Sequence, residues 1–461
     1  MIRVFSHWVQ PATVIGVISD FAFILLGIGI AFAWVGNGLP VETDAVLIYS
    51  LVLAVTMLML NASLGFYHRV QTHNFIPTRA RAILMLHLSI PIAYGLYLLF
   101  LPQTNVNKQF LQLAVMGAVF GMLVNRLRAY HMPPSQIMMS RVLIFGCGDK
   151  ALEIARIIAK SDRYVDIVGY VPGPTGEKCC VPAEQVVNTG SSLAMTARKH
   201  NVDEIIIAIT ERRGGTMPLR ELLDCKLYGV RVLDLATHFE QFLGQIRLDS
   251  LKASYLIFGS GFRQTFMRNA VKRVFDIFCS LVLLTLAAPL MIVAALAIII
   301  ESGFPIFYRQ ERVGLDGKPF NVIKFRSMRT DAEKDGKPRW ATSGDSRVTR
   351  VGRIIRKLRI DELPQLISVL KGDMSLVGPR PERQFFVEKL TQDIPFYAVR
   401  HSVKPGVTGW AQVRYPYGAS VEDSAQKLQY DLYYVKNHTL FLDMVILFET
   451  VGVVLSGKGA Q

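Results

Sequence analysis

Long apolar blocks are the feature of this sequence that most limits its fold. Four lie in the N-terminal third, at residues 14–35, 45–64, 82–101 and 110–124. Each is near the roughly 20 residues that a helix needs to cross the hydrocarbon core of a bilayer. None has the arrangement of a cleavable signal peptide. Because 51% of the 461 residues are hydrophobic, the chain belongs to the membrane class, and we predict a four-helix transmembrane domain at residues 1–131.

The loops between these blocks differ in charge. The loop after the second block carries Arg69, Arg79 and Arg81 and no acid, whereas the loop after the first carries Glu42 and Asp44 and no base. Cytoplasmic loops are enriched in Lys and Arg. Both ends of the predicted bundle are therefore expected in the cytoplasm.

Asp20 is an acid inside the first apolar block. An ionisable residue within a membrane span is a functional candidate. The alternative, which we favour, is an acid near a helix end or one paired inside the bundle.

A change of composition at residues 132–136 marks a linker, after which strand-like and helix-like runs alternate. Strands are predicted at 141–146, 166–171, 203–209 and 229–235, which indicates a Rossmann-like α/β module at residues 140–255. The glycine turn at Gly146 and Gly148 could bind a pyrophosphate. That pattern is weak alone, and no acid follows the second strand to bind a ribose hydroxyl. A structural or regulatory module stays open beside nucleotide binding.

A further apolar run, residues 274–300, follows Lys272 and Arg273 and contains Pro289 near its middle. Proline removes a backbone hydrogen bond and bends a helix. The limb before it reaches only about 22 Å, less than the ~30 Å hydrocarbon core. We predict a re-entrant helical hairpin at 272–301 that enters one leaflet and returns, so that the basic segment after it stays in the cytoplasm.

Positive charge dominates the segment after that run. Residues 305–360 hold fifteen Lys or Arg and six acids, and the whole chain has a net charge of +15. Arginine binds phosphate oxygens with two hydrogen bonds. A nucleic-acid partner is not expected, because no stacking platform, recognition helix or zinc finger accompanies the charge. The five cysteines show no CxxC spacing, which fits a reducing compartment.

Asp361 and Glu362 stand next to each other after this basic segment, two residues before Pro364. The pattern predicts a helix from about 361 to 370 that ends at Lys371-Gly372, with Asp361 at or beside the N-cap. A capping aspartate is worth about 1 kcal/mol. The same position would also stabilise a phosphoryl group, and paired carboxylates suit Mg²⁺. Capping and catalysis are both compatible with the pattern.

The last 190 or so residues resemble the catalytic domain of the monotopic phosphoglycosyl transferases, bacterial enzymes that begin polysaccharide assembly at a membrane. The resemblance rests on four segments taken together: Lys272-Arg273 before the proline-broken run, YRQERVGLDGKPFNVIKFRSMR (308–329), DSRVTRVGRIIRKLRIDELPQLISVLKGDMSLVGPRPE (345–382) and RHSVKPGVTGWAQV (400–413). Ala288 departs from the family's usual Ser before the proline. The first two domains resemble those of the family's large members.

The resemblance implies a mainly α, monotopic catalytic domain at residues 268–461 and a two-step reaction. Asp361 would attack a UDP-sugar, release UMP and carry a sugar phosphate that undecaprenyl phosphate then accepts; Glu362 would help to bind Mg²⁺ or assist the acceptor. The implied substrate-binding residues are Arg356, Arg380, Lys324, Arg326, Arg353 and Arg383. A homodimer, contact with membrane lipids and location in the bacterial inner membrane are also expected.

Two other classes stay open. A non-catalytic scaffold of polysaccharide assembly would use the α/β module to sense a nucleotide. A membrane sugar-nucleotide dehydratase would need a full glycine fingerprint and a YxxxK pair, and no tyrosine in the sequence has a lysine four residues later.

Overall fold

The structure of the chain is a computed structural model. It describes residues 2–35, 43–67, 78–100, 108–131, 139–161, 165–173, 178–187, 192–209, 217–251, 253–258, 261–262, 265–332, 345, 347–416, 418 and 420–456. The predicted linker at 132–136 and the loop residues Glu42 and Arg69 lie outside these ranges.

Four long helices occupy the positions of the four N-terminal apolar blocks. They are α1 (Pro11–Val35), α2 (Thr43–Ser63), α3 (Thr78–Phe100) and α4 (Lys108–His131). Buried apolar side chains from all four form one cluster. Within the described residues, two helices are long and apolar enough to cross a membrane, namely α1 over Pro11–Trp34 and a later helix at Phe266–Ser302.

Helices α1 and α4 pack with their backbones in close contact. A Cβ atom at Gly27 of α1 would lie 2.0 Å from the carbonyl oxygen of Gly117. One at Gly121 of α4 would lie 2.2 Å from the carbonyl oxygen of Phe23. Small residues allow this approach between apolar helices, so a side chain at either glycine would push α1 and α4 apart.

Asp20 is fully buried among these helices and is paired there, which agrees with the favoured interpretation. Its two carboxylate oxygens accept hydrogen bonds from the Tyr67 hydroxyl at 2.7 Å and the Asn125 amide at 2.6 Å. Arg128 donates to the same Asn125 side chain. This network satisfies a buried acid, as burial of a polar group requires.

A short β-hairpin precedes α1 and packs against the C-terminal part of the chain. Its strands are β1 (Ile2–Val4) and β2 (His7–Val9). The His7 ring is buried, and its Nδ1 lies 2.8 Å from the hydroxyl of Tyr433. Thr439 also donates to the carbonyl oxygen of Phe5. The sequence did not suggest this long-range contact.

The α/β module contains four strands at the predicted places, in a parallel sheet with helices on both faces. Its elements are β3 (Ser140–Phe145), α5 (Asp149–Ser161), β4 (Val165–Val171), α6 (Leu193–Lys199), β5 (Glu204–Ile207), α7 (Leu219–Leu227), β6 (Arg231–Asp234) and α8 (Leu235–Leu243). The order β4-β3-β5-β6 puts the first strand between the second and third. This is the flavodoxin-like variant of the doubly wound fold.

Gly146 of the glycine turn has a packing role in this sheet. Its φ is +126°, and an added Cβ would lie 3.2 Å from the backbone of Ala208, just after the neighbouring strand. Glycine tolerates such a backbone without strain. Strand packing therefore accounts for this glycine without a nucleotide.

The C-terminal part is mainly helical, with two small sheets. After α9 (Ala253–Phe258), its elements are α10 (Phe266–Ser302), β7 (Phe307–Val313), β8 (Pro319–Phe325), α11 (Arg350–Lys357), α12 (Gln365–Lys371), β9 (Ser375–Val377), α13 (Gln384–Asp393), β10 (Gly406–Thr408), α14 (Trp410–Arg414), α15 (Val421–Asn437) and α16 (Leu440–Ser456). β7 pairs with β8 antiparallel, and β9 pairs with β10 in parallel. One large apolar cluster forms the core.

Helix α16 packs against the rest of the C-terminal domain, and its two acids are buried. Asp443 accepts from Lys272 at 2.7 Å, and Glu449 is paired with Arg414. Its Gly452 also packs on the carbonyl oxygen of Ser63, at the end of α2. The C-terminal domain is thereby joined to the N-terminal helices.

Both ends of α10 contact the C-terminal domain, while its middle is exposed. Near its start, Arg273 donates to the carbonyl oxygens of Val369 and Leu370, at the end of α12. Near its end, Glu301 accepts from the backbone N–H groups of Arg350 and Val351, at the start of α11. Between these contacts most apolar side chains are exposed, whereas Ala294 and Ile298 are buried.

Candidate active site

A cleft of about 640 Å³ lies between the β7–β8 ribbon, α11 and the segments around β9 and β10. Among the described residues that line it are ten Lys or Arg and four acids. The predicted residues it brings together are Asp361, Glu362, Lys324, Arg326, Arg356, Arg380 and Arg383. Such an excess of cations favours a polyanionic ligand.

The two carboxylates lie in a 3₁₀ turn, Ile360–Glu362, and not in the predicted helix. Helix α12 begins at Gln365, with Pro364 as its N-cap, so the prediction of Asp361 at or beside the N-cap is wrong. Pro364 has no N–H to donate back to Ile360. The predicted stop at Gly372, in the left-handed conformation, is present.

Glu362 is buried and surrounded by cations from three segments. Its Oε1 accepts from Lys324 Nζ and from Arg380 Nη2, each at 3.0 Å, and its Oε2 from Arg359 Nη1 at 3.4 Å. Burial alone would raise the pKa of the Glu362 carboxyl, but Lys324, Arg380 and Arg359 outweigh it and hold this pKa well below its usual range. Glu362 is therefore ionised and fixes the positions of these cations.

The pKa of its neighbour Asp361 is shifted in the opposite direction. Burial and the charge of Glu362 raise the pKa of the Asp361 carboxyl to about 6, against the opposing effect of Lys324, Arg356 and Arg359. Within the described residues, no hydrogen bond to this carboxylate is found. A buried carboxylate with a raised pKa and few partners is suited to act as a nucleophile.

Arg326 is buried beside the cleft and is held at one end. Its Nη2 donates to the carbonyl oxygens of Ser302 and Gly303, at the end of α10, and to the Ser302 hydroxyl. Its Nε and Nη1 are buried and have no hydrogen-bond partner among the described residues. These two nitrogens are therefore unpaired donors beside the cleft.

Other predicted residues have different positions. Arg353 is exposed on α11 and is not among the residues that line the cleft. Lys272 and Arg273, predicted at the hairpin, join α10 to α16 and α12. Pro289 lies inside α10, which is helical on both sides of it.

Four cleft arginines were not predicted as site residues: Arg312, Arg329, Arg359 and Arg400. Arg359 has a left-handed φ of 58° and contacts the carboxylate three residues later, so its spacing was a usable signal. Arg312 and Arg400 act over sequence separations of 69 and 20 residues. No local pattern reveals those contacts.

The two carboxylates, Asp361 and Glu362, differ in how well they could bind Mg²⁺. Mg²⁺ is usually held by one or two carboxylates and the phosphates of a substrate. Asp361 has its oxygens available, whereas both oxygens of Glu362 accept from cations. No group of three or more His, Cys, Asp or Glu that could hold a metal is found in the part of the chain that the structure describes. Asp361 is therefore the better protein ligand.

The chain belongs to the bacterial sugar transferase family, whose model matches residues 267–457. It is 43% identical over 242 residues to a UDP-N-acetylgalactosamine-undecaprenyl-phosphate N-acetylgalactosaminephosphotransferase of Aeromonas hydrophila, covering 52% of this chain and 56% of the relative. It is 45% identical over 192 residues to a UDP-glucose:undecaprenyl-phosphate glucose-1-phosphate transferase of Caulobacter vibrioides, covering 41% of this chain and 71% of the relative.

A third relative matches a longer part of this chain. It is an undecaprenyl-phosphate glucose phosphotransferase of Komagataeibacter xylinus, 35% identical over 328 residues, with 68% of this chain and 58% of the relative covered. The chain thus spans little more than half the length of two of these three proteins. Their names include different sugars.

Proposed function

We propose that this protein transfers a sugar 1-phosphate from a UDP-sugar to undecaprenyl phosphate, giving undecaprenyl-diphosphate-sugar and UMP, and so initiates exopolysaccharide assembly. The observation that carries the proposal is the Asp361–Glu362 pair in a cation-lined cleft, with Glu362 ionised and Asp361 without a hydrogen bond among the described residues. The names of the relatives supply the substrate classes.

The reaction has two displacements at one phosphorus atom. An oxygen of Asp361 attacks the β-phosphorus of the UDP-sugar, and the bond from that phosphorus to the bridging oxygen breaks as UMP leaves. A phosphate oxygen of undecaprenyl phosphate then attacks the same phosphorus and frees the Asp361 carboxylate. Splitting the transfer gives each step a nearby nucleophile, and surrounding cations stabilise the charge that develops.

Different cationic side chains would bind the diphosphate of the donor and the phosphate of the acceptor. Arg380 and Lys324 sit beside Glu362 and would move their hydrogen bonds to the diphosphate of the donor. Arg326 contributes its unpaired Nε and Nη1, Arg383 extends the donor subsite, and Arg356 meets the phosphate of the acceptor. Mg²⁺, held by Asp361 and substrate phosphates, with Glu362 as a second candidate ligand, would neutralise phosphate charge. The donor of the sugar phosphate is a UDP-hexose.

The protein is further proposed to lie in the bacterial inner membrane, through α1–α4 and a bend in α10, with its soluble parts in the cytoplasm. Arg273 contacts the end of α12, while Ala294 belongs to an apolar cluster with Ile360. A straight helix separates residues 273 and 294 by about 31 Å. The 3₁₀ turn and α12 together carry the chain from residue 360 to residue 370 over only about 15 Å, which favours a bend at Pro289.

That topology has a direct test. Asn269→Cys and Phe304→Cys place thiols at exposed positions before and after the proposed hairpin. In a background with the native cysteines replaced, an impermeant thiol reagent should label both in inside-out vesicles and neither in right-side-out cells. Labelling from opposite faces would exclude the re-entrant hairpin.

The transfer itself is tested with purified protein, Mg²⁺, undecaprenyl phosphate and a panel of UDP-hexoses, by following UMP release. We expect release with at least one hexose and none from Asp361→Asn. Full turnover by that variant would overturn the assignment of the nucleophile. No UMP from any UDP-sugar would instead favour a scaffold. A homodimer is a separate proposal, tested by the mass of the purified protein.

A further inference from the structure

The backbone of Pro379-Arg380-Pro381 and Glu382 is held at every carbonyl group. Gly406 N–H donates to the oxygen of Pro379 at 3.0 Å, and Val313 N–H to that of Glu382 at 2.9 Å. Between these bonds, the carbonyl oxygens of Arg380 and Pro381 accept from arginine side chains. The two prolines have no N–H group to donate. The turn is therefore fixed by these hydrogen bonds to its carbonyl oxygens.

Arg400 supplies the bond to residue 380. It is 5% exposed, and its Nη2 donates to the Arg380 carbonyl oxygen at 2.9 Å. The rest of its guanidinium is engaged as well, because Nε donates to Asp431 Oδ2 at 3.0 Å and Nη1 donates to the hydroxyl of Tyr397 at 2.8 Å. A buried arginine with all these partners is held in one position.

Arg312 supplies the bond to residue 381. It extends from β7, and its Nη1 donates to the Pro381 carbonyl oxygen at 3.2 Å. Its Nη2 donates to Gln310 on the same face of the strand, and Glu382 lies at 3.5 Å. Arg400 and Arg312 therefore donate to the consecutive carbonyl oxygens of Arg380 and Pro381 from two separate parts of the chain.

The side chain that this turn presents is Arg380, whose Nη2 reaches Glu362 in the cleft at 3.0 Å. Glycines let the neighbouring backbones approach this closely. A Cβ at Gly378 would lie 2.3 Å from the carbonyl oxygen of Lys404, and one at Gly406 would lie 2.1 Å from the nitrogen of Gly378. The turn is thus built to allow little displacement.

We propose that Arg312 and Arg400 are positioning residues that fix the backbone of Arg380, so that its guanidinium is in place before the diphosphate of the donor arrives. This inference rests on the proposed transfer reaction. A displacement of about 1 Å can reduce a rate by two orders of magnitude. Placement set before binding also avoids the entropy of ordering a long side chain in the complex.

The test is a double-mutant cycle on UMP release. Arg312→Lys and Arg400→Lys keep the charge but remove the guanidinium fork. Each should lower kcat/KM about tenfold or more. In an Arg380→Lys background the same changes should have little further effect, because the group they position has been replaced.

Arg414→Lys is the matched control. Arg414 is an arginine in the same domain, paired with Glu449 and stacked on Trp410, and it is not among the residues that line the cleft. Its substitution should change kcat/KM by the same factor with or without Arg380. Thermal unfolding curves show whether each variant is folded at the assay temperature. They therefore separate a loss of folding from a displacement of Arg380.

The outcomes separate the two proposals. Suppose that wild type releases UMP but Arg312→Lys and Arg400→Lys lower kcat/KM by the same factor with and without Arg380→Lys, as the control does. The positioning role is then wrong. If wild type itself releases no UMP, the transfer reaction fails. In that case, UDP affinity measured by calorimetry across the same cycle still decides whether Arg312 and Arg400 act through Arg380.

Discussion

Arg380 Nη2 and Lys324 Nζ both lie 3.0 Å from the same oxygen of Glu362. This carboxylate keeps cations close together that would otherwise repel. We expect Glu362→Gln to lower UMP release on the order of 100-fold and to lower the thermal midpoint, because breaking a buried ionic group leaves uncompensated charge. Glu388→Gln, the same change at an exposed acid on α13, should leave both unchanged. Wild-type turnover by Glu362→Gln would contradict the role.

The pKa of Asp361 predicts how the first step depends on pH. Burial and Glu362 raise this pKa to about 6, and only the ionised carboxylate is a nucleophile. UMP release in the first turnover should therefore rise through about pH 6 and level off above it. Rapid-quench measurements between pH 4.5 and 8.5 would show the step, and a flat profile would rule out this ionisation as limiting.

The same shift predicts a gain of stability when the charge is removed. The folded-state pKa is above the usual value of 3.8, so the unfolded chain loses its proton first and ionisation costs stability as pH rises from about 4 to 6. Asp361→Asn should raise the free energy of unfolding at pH 8 by on the order of 3 kcal/mol, and by little near pH 4. Thermal melts at both values, with exposed Asp373→Asn as a control, would measure this.

Two glycines of α1 should respond differently to one methyl group. A Cβ at Gly27 would lie 2.0 Å from the Gly117 carbonyl oxygen, whereas one at Gly29 has nothing within 4 Å. Gly27→Ala should lower the thermal midpoint in detergent by several degrees, and Gly29→Ala should be neutral or slightly stabilising. Equal effects of the two changes would mean that α1 and α4 do not pack in this way.

Local sequence patterns predicted much of this molecule, and long-range contacts limited the rest. The apolar blocks predicted α1–α4, alternating runs predicted β3–β6, and motif residues from separate segments meet in one cleft. The predicted start of α12 was wrong, because the chain forms a 3₁₀ turn at Ile360–Glu362 before Pro364 and the helix begins only after this proline. The strand order, the roles of Arg312 and Arg400 and the burial of His7 depend on packing between distant segments, which no short window of sequence contains.

The contact between His7 and Tyr433 joins residues 426 positions apart. A ribosome adding about 5–20 residues per second would therefore make the second partner roughly 20–85 s after the first. Throughout that interval the N-terminal hairpin lacks the surface that buries it. Completion of the C-terminal core is consequently a late event in the synthesis of this chain, and variants of the hairpin should delay maturation even where they leave the cleft unchanged.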